Sequence, residues 1–307
     1  MCSPEVMVAV RKAIAERGGR VDRRQLLAGG AATMTAGAIA PMLAGAQGAT
    51  PAATPEAEVP AASPVAGPST IYSTSVPINR VYDLTHVVGP DFPVFVGAES
   101  LQMEPITSID DIGYFKYRLT LDEHTGTHID APAHFIEDGT TADEMDPGVF
   151  FAPLCVIDIS ARAAEDPDAV VTDGDIAEWE AINGTIPDRA FVAMTSGWAA
   201  KAGDPESYVN MGDDDLPHFP GWSGQAVAFL TGERTVVGIG TDTLSLDAGA
   251  AGGFPAHINA LGAGLYGVEN LANLDSVPAV GTTIIVGGPK HVGGSGGPAR
   301  VFAVEFR

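Results

Sequence analysis

The segment His124-Thr125-Gly126-Thr127-His128-Ile129-Asp130-Ala131-Pro132-Ala133-His134-Phe135 constrains this chain more than any other. Three of its seven His residues and one Asp fall within eleven positions. A helix is disfavoured as their carrier, because Thr-Gly-Thr is a poor helix former. The helical pair of metal-binding histidines also needs a Glu after the first His, where Thr125 stands. In an extended segment, residues 124, 126, 128 and 130 share one face, and Gly126 leaves space between two imidazoles for a metal or water. Pro132 ends that strand, and His134 lies on the turn beyond it. A lone strand His is usually a hydrogen-bonded core residue. Three with an Asp would be costly to bury without a cation, since every one needs a polar partner. Neutral imidazole and carboxylate favour zinc, manganese and iron, so the run predicts a strand-borne divalent-metal site.

The rest of the chain can build a core around such a site. Of 307 residues, 45% are hydrophobic and 18% charged, the composition of a globular protein. Asp and Glu number 39 against 16 Lys and Arg, a net charge of −23. That excess argues against nucleic-acid partners, which need a basic face, and against adhesion to an anionic membrane. Residues 1–50 carry six bases and three acids, a balance of +3 that leaves −26 on the remainder. Specific cations are welcome in such a background; bulk polyanions are not.

The basic start has its own reading. Arg23-Arg24-Gln25-Leu26-Leu27 opens an apolar run from Ala28 to Ala46 that ends in Ala44-Gly45-Ala46, a small-x-small cleavage pattern. Residues 1–46 are therefore expected to be a twin-arginine export signal, with a retained anchor as the alternative. The expected location is outside the cytoplasm, with no stable membrane insertion after cleavage. Residues 47–75, rich in Ala, Pro and Thr, cannot bury enough apolar area to offset ordering and are expected to be a disordered tether. Cys2 would leave with the signal, so Cys155 has no internal disulfide partner. Its apolar setting, Leu154-Cys155-Val156-Ile157, reads as inert core rather than as a nucleophile.

From residue 76 onward, strand patterns cover 81–85, 115–121, 154–159, 191–195, 236–239, 282–286 and 301–306. Asp173 to Ile182 reads as a capped amphipathic helix and Ser223 to Leu230 as a second, with Ser223 its N-cap. The alternation is too irregular for a barrel or a doubly wound sheet. Residues 76–307 are expected to form a single α/β domain with a mixed sheet and long loops. Downstream, Gly240-Thr241-Asp242-Thr243-Leu244-Ser245-Leu246-Asp247 leaves a strand, and His257 and Glu269 follow. Loops at strand ends commonly carry active sites.

The histidine run resembles the hallmark of the cyclase-like amidohydrolases, which include bacterial kynurenine formamidases and isatin hydrolases. The likeness extends to Asp83-Leu84-Thr85, the stretch from Gly240 to Asp247, His257 with Glu269, and Gly294 to Arg300. It implies a mixed-sheet swivelling β/β/α fold assembled as a dimer or tetramer, and a site for one or two divalent metals, Zn²⁺ or Mn²⁺ foremost. His124, His128 and Asp130 are implied as ligands of the first metal. Asp130 would bridge to a second, completed by His257 and Glu269. His134 is implied as the acid/base, a fourth ligand being the other reading.

Isatin hydrolases resemble this layout with Gln in place of Glu269, so the Glu tilts the expectation toward an arylformamidase that converts N-formylkynurenine and water to kynurenine and formate. Water activated at the metal would attack, with His134 moving the proton. The alternative is a hydrolase of cyclic amides, imides or lactones, which suits export better because formylkynurenine arises inside cells. A metal-dependent lyase and a non-catalytic exported binding protein remain further alternatives. Asp242 would orient a ligand His or cap a turn; Ser245 and His86 would support the site or face substrate. Phe92, Pro93, Phe95, Trp198, Phe219 and Trp222 suit an aromatic amide or belong to the core. His218 reads as loop packing, His291 as surface or substrate-facing, and Gly287 to Gly297 as a flexible loop lining the site.

Overall fold

The computed structural model describes residues 76–307; the expected export signal and tether lie outside the described residues. β1 (Ile78–Asp83) leads to a ribbon of β2 (Gln102–Thr107) and β3 (Lys116–Thr120), with the one-turn helix α1 (Ile109–Ile112) at its tip. β4 (His128–Asp130) and β5 (Phe151–Asp158) follow. Next come α2 (Ser160–Ala163), β6 (Val170–Val171), α3 (Asp173–Asn183) and β7 (Phe191–Thr195). α4 (Pro205–Val209), β8 (Gly221–Trp222), α5 (Gly224–Glu233) and β9 (Gly238–Thr241) continue the alternation. α6 (Pro255–Gly262), β10 (Tyr266–Glu269), β11 (Thr282–Gly287), β12 (Gly296–Pro298) and β13 (Arg300–Phe306) complete the domain.

Local chemistry sets the helix starts. The Thr172 side chain and Asp175 form a reciprocal capping box at α3. Ser223 Oγ accepts the Ala226 N–H at α5. All seven expected strands are present, their ends displaced by at most three residues. Among the described residues no helix is long and apolar enough to cross a membrane.

Nine strands form one sheet in the order β1-β13-β11-β5-β7-β9-β10-β4-β12. The central run β5, β7, β9 and β10 is parallel, and the flanking pairs are antiparallel. Both faces are buried, as parallel strands require. Cys155, Ile157, Val192 and Met194 pack beneath Ile176 and Trp179 of α3 and Val227 and Leu230 of α5. The alternate residues Leu154, Val156, Phe191 and Ala193 join Leu84, Ile129, Val268, Ile284 and Ala303 in a second core.

That second core draws on strands from both ends of the sheet, so the sheet curls round it. Connectivity enforces the curl. β12 is the terminal strand on one side, yet only Ala299 separates it from β13, which neighbours the opposite end. Consecutive Cα atoms lie about 3.8 Å apart, so the two ends have to meet. The expected mixed-sheet α/β domain is the fold observed. Cys155 is free and 1% exposed, and burial raises its thiol pKa to about 12, which makes it core.

Candidate metal centre

The curled sheet carries the histidine run on β4, between β10 and the terminal β12, but the run is not one extended strand. Only His128–Asp130 is strand, because Gly126 turns the chain with φ 65°. Glycine is needed there because a Cβ would collide with the Val88 side chain. It is therefore required by a turn and a close approach, not as a gap between imidazoles. The turn folds His124 back, so that its Nδ1 lies 2.7 Å from Asp130 Oδ1.

Asp130 is the hub. His128 Nε2 stands 3.4 Å from Oδ1, and His257 Nε2 stands 3.5 Å from Oδ2. Glu269, the last residue of β10, faces the same space, 3.3 Å from His128 Nε2 and 3.0 Å from His257 Nε2. Antiparallel pairing of β10 with β4 puts Glu269 opposite His128. His134 follows Pro132 on a single 3-10 turn, and its ring stacks on His124 at 3.8 Å between centroids. The six residues thus converge, with donor groups His124–Asp130–His134 and His128–Asp130–Glu269 sharing Asp130. His128 stands within reach of Glu269 as well as of Asp130.

Hydrogen bonding fixes which nitrogens face inward. His128 Nδ1 donates to the Gly126 carbonyl at 2.7 Å, which leaves Nε2 as its free lone pair. His257 Nδ1 donates to Asp247 at 2.7 Å, with the same consequence. Ser295 Oγ donates to Glu123 at 2.5 Å and so accepts from His124 Nε2 at 3.0 Å, which turns Nδ1 toward Asp130. Three imidazole lone pairs and two carboxylates therefore converge in a buried space. His128 Nε2 and Asp130 Oδ2 have no hydrogen-bond partner there. Such a set of acceptors demands positive charge, and His, Asp and Glu in this number fit a divalent cation.

The titration behaviour expresses the same demand. Burial opposes charge on His128, yet the carboxylates of Asp130 and Glu269 beside it raise its pKa to about 10. His257 is likewise raised well above the ordinary value, against burial, by Asp130, Asp247 and Glu269. Burial opposes ionisation of Asp130 too, but the imidazoles of His124, His128 and His257 around it hold its pKa well below the usual range. His134 goes the other way: burial and the neighbouring His124 lower it to about 3. It stays a neutral imidazole, with no hydrogen bond to its ring nitrogens among the described residues.

A pH dependence follows for protein stripped with a chelator. The folded pKa values of His128 and His257 lie above the ordinary 6.5, so their stabilisation is complete below pH 6.5 and is lost as pH rises through about 10 for His128. Stripped protein is expected to melt several degrees lower at about pH 9.5 than at about pH 6.5. Reloading with Zn²⁺ or Mn²⁺ should shrink that difference. Thermal unfolding followed by circular dichroism checks it; equal melting at both pH values without metal would contradict it.

Other residues named from the sequence occupy different places. Asp242 touches none of the six: its carboxylate accepts Ser196 N–H at 3.0 Å, Ser196 Oγ at 2.6 Å and Trp198 N–H at 3.1 Å, capping the turn after β7. The orienting carboxylate is Asp247, five residues later. It also accepts the Ala256 and His257 backbone N–H groups at 2.7 and 3.2 Å, capping α6, the helix that carries His257. Ser245 Oγ accepts the Asp247 N–H at 3.2 Å and so shapes that loop. His86 is held by its N–H to Thr127 Oγ1 at 3.0 Å and packs on Phe92; burial lowers its pKa. His218 bonds to Asp168 and Asp214 rather than simply packing. His291 pairs with Glu123 and so joins the bonds that reach His124 through Ser295.

The loop before β12 does line the site, and Gly296 makes it possible. A Cβ there would strike the Ile129 carbonyl, with His124 Cε1 2.8 Å away. Of the aromatic loop residues, Phe92, Trp198, Phe219 and Trp222 are buried in the core. Two not singled out in the sequence flank the cluster instead. Phe135 stacks on His257 at 4.6 Å, and Phe254 meets both His257 and Phe135, with Phe95 6.4 Å beyond.

Comparison with known proteins agrees with this geometry. The family model described as "Putative cyclase" matches residues 82–248. An isatin hydrolase of Roseibium aggregatum is 36% identical over 243 residues, 73% of this chain and 91% of that protein. A kynurenine formamidase of Salinibacter ruber is 27% identical over 220 residues, 71% and 94% of the two chains. Among solved structures, isatin hydrolase A from Labrenzia aggregata, bound to benzyl benzoate, superposes with a TM-score of 0.70 at 40% identity, covering 74% of this chain and 94% of that one. A Bacillus stearothermophilus protein described as a "predicted metal-dependent hydrolase" gives 0.56 at 26%, covering 74% and 98%. Overall similarity thus runs toward the isatin hydrolases, against the tilt drawn from Glu269 alone. With the model spanning more than half its length and the signature residues gathered in one site, the chain belongs to the cyclase family of metal-dependent hydrolases.

Proposed function

We propose that the chain opens a small aromatic lactam of the isatin type by hydrolysing its ring amide. The observation that carries this reading is the likeness to isatin hydrolase across most of the domain, at 36% identity against 27% for the formamidase. The aromatic wall of Phe135 and Phe254 beside His257 supports it, because an aryl ring gains both burial and stacking there. A divalent cation held by His124, His128, Asp130, His257 and Glu269 would supply Lewis acidity toward the carbonyl and toward water.

The chain's own residues do the rest. The Gly126 carbonyl and Asp247 lock the inward tautomers of His128 and His257, and Ser295 with Glu123 does so for His124. His134, neutral and unbonded, takes the proton from the attacking water and returns it to the ring nitrogen as the C–N bond breaks. The product is an arylamine and a carboxylate in one molecule. Export by the signal of residues 1–46 completes the proposal, since an environmental lactam is met outside the cytoplasm. Glu269 favours the arylformamide as a second reading.

The test is turnover by full-length protein loaded with Zn²⁺ or Mn²⁺, with isatin and N-formylkynurenine side by side and a chelated sample as control. Chelator-sensitive ring opening of isatin, well ahead of formamide cleavage, is expected. Formamide cleavage in preference to isatin would move the substrate to the arylformamides. Turnover that survives chelation would sink the metal-dependent reading.

A further inference from the structure

Asn270 follows Glu269 where β10 ends and is 2% exposed. Its backbone is left-handed, with φ 54°, a conformation that Asn adopts more readily than most residues because its short side chain bonds locally. Its Nδ2 donates to the Gly126 carbonyl at 3.0 Å. That carbonyl already accepts His128 Nδ1 at 2.7 Å, so both lone pairs of one oxygen are used.

The neighbours fix which way the amide points. The Gly126 carbonyl can only accept, so it has to face the NH₂ of Asn270 and not its oxygen. Oδ1 then accepts from the Tyr208 hydroxyl at 3.0 Å, whose proton is shared with the Asp242 carbonyl at 3.0 Å. Burial pushes the Tyr208 phenol well above its ordinary pKa, so the hydroxyl keeps that proton. The Asn270 carbonyl accepts Thr127 Oγ1 at 2.6 Å, and its N–H donates to the Thr243 carbonyl at 2.9 Å. Each polar atom of this buried residue is bonded. Its partners come from the turn before β4, from α4 and from the loop after β9.

We propose that Asn270 is a positioning residue for the metal centre, holding the ligands of β4 and β10 at the spacing a shared cation needs. The β4–β10 ladder ends at the pair His128 and Glu269. Beyond that pair, the bonds of Asn270 to Gly126 and Thr127 hold the two segments together. Pinning the Gly126 carbonyl acts on two imidazoles: it keeps the acceptor that sets the His128 tautomer, and it fixes the turn that folds His124 back on Asp130. The same residue is joined covalently to Glu269, which stands 3.3 Å from His128 Nε2. Partners of this kind, one bond removed from the ligands, are typically worth about 10–100-fold in metal affinity. This role rests on the cation site of the proposed function.

Zn²⁺ titration of chelator-stripped full-length protein, in competition with a chromophoric chelator, tests it. Asn270→Gly allows the left-handed backbone at no steric cost and removes the amide. It is expected to bind Zn²⁺ on the order of 10–100-fold more weakly than wild type, and to shift the visible bands of bound Co²⁺, which report ligand geometry. Ile176→Val, in the core away from the site, should melt lower yet keep wild-type affinity and bands. A folded Asn270→Gly protein that binds Zn²⁺ as tightly as wild type overturns the proposal. An equal loss of affinity in Ile176→Val does the same, because lost stability would then explain both. Should Asn270→Gly fail to fold, Tyr208→Phe decides, since it keeps the ring and removes the hydroxyl that holds Asn270 Oδ1. Weaker Zn²⁺ binding by Tyr208→Phe supports the proposal, and wild-type affinity overturns it. A wild type that binds no Zn²⁺ is a different failure, one that removes the metal site itself and this role with it.

Discussion

Asp130→Asn is expected to lower hydrolysis on the order of 10³-fold or more and to lose bound metal with it. The substitution preserves size, so the 1% exposed site should keep its packing. What changes is charge and lone pairs. Asp130 faces nitrogens of His124, His128 and His257 at 2.7, 3.4 and 3.5 Å. An amide offers one acceptor and aims N–H groups at the rest. Its NH₂ then competes with a cation for the inward lone pairs, and one of the two buried negative charges is gone. Metal content by elemental analysis, read beside kcat/KM for isatin, checks the expectation. A folded Asp130→Asn protein that keeps its metal and loses less than tenfold in rate would remove Asp130 from the centre of the site.

Much of that site was legible in the sequence, for a chemical reason. Imidazoles and carboxylates crowded into eleven residues have few uses besides a cation, and His257 and Glu269 joined them through the family resemblance. Backbone geometry was harder to read. The sign of φ at Gly126 decides whether residues 124–130 form one strand or a turn plus a short strand, and Thr-Gly-Thr is compatible with both. Asp247 was hidden for another reason. Its role depends on α6, an eight-residue helix between glycines whose N-cap, Phe254, offers no capping side chain. A helix capped by a carboxylate from a preceding loop leaves no local signal, so Asp242, nearer the strand end, looked equally suited to orienting a ligand. Burial decides between the two readings of the aromatic residues. Trp198, Phe219 and Trp222 stand in Gly- and Pro-rich stretches yet are core, because the loops that hold them fold back over the sheet.

His134→Ala should lower turnover by on the order of 10²–10⁴-fold while leaving metal content unchanged, which separates its two possible roles. Its donor atoms lie within 4.8 Å of those of His124 and Asp130, close enough to share a cation. Two observations favour the proton role instead. It is stacked on the His124 ring rather than joined to Asp130 by a hydrogen bond. Among the described residues no hydrogen bond orients it, whereas His124, His128 and His257 each have a partner that fixes an inward lone pair. Burial and then the neighbouring His124 lower its pKa to about 3, so it is a neutral imidazole at neutral pH in either role. Because the folded pKa is already low, protonation of His134 should not limit kcat until the pH falls well below about 5. Rate and metal content measured on the same His134→Ala sample decide the matter. Metal lost in step with activity would make His134 a ligand, and the proton would then have to be moved by another group.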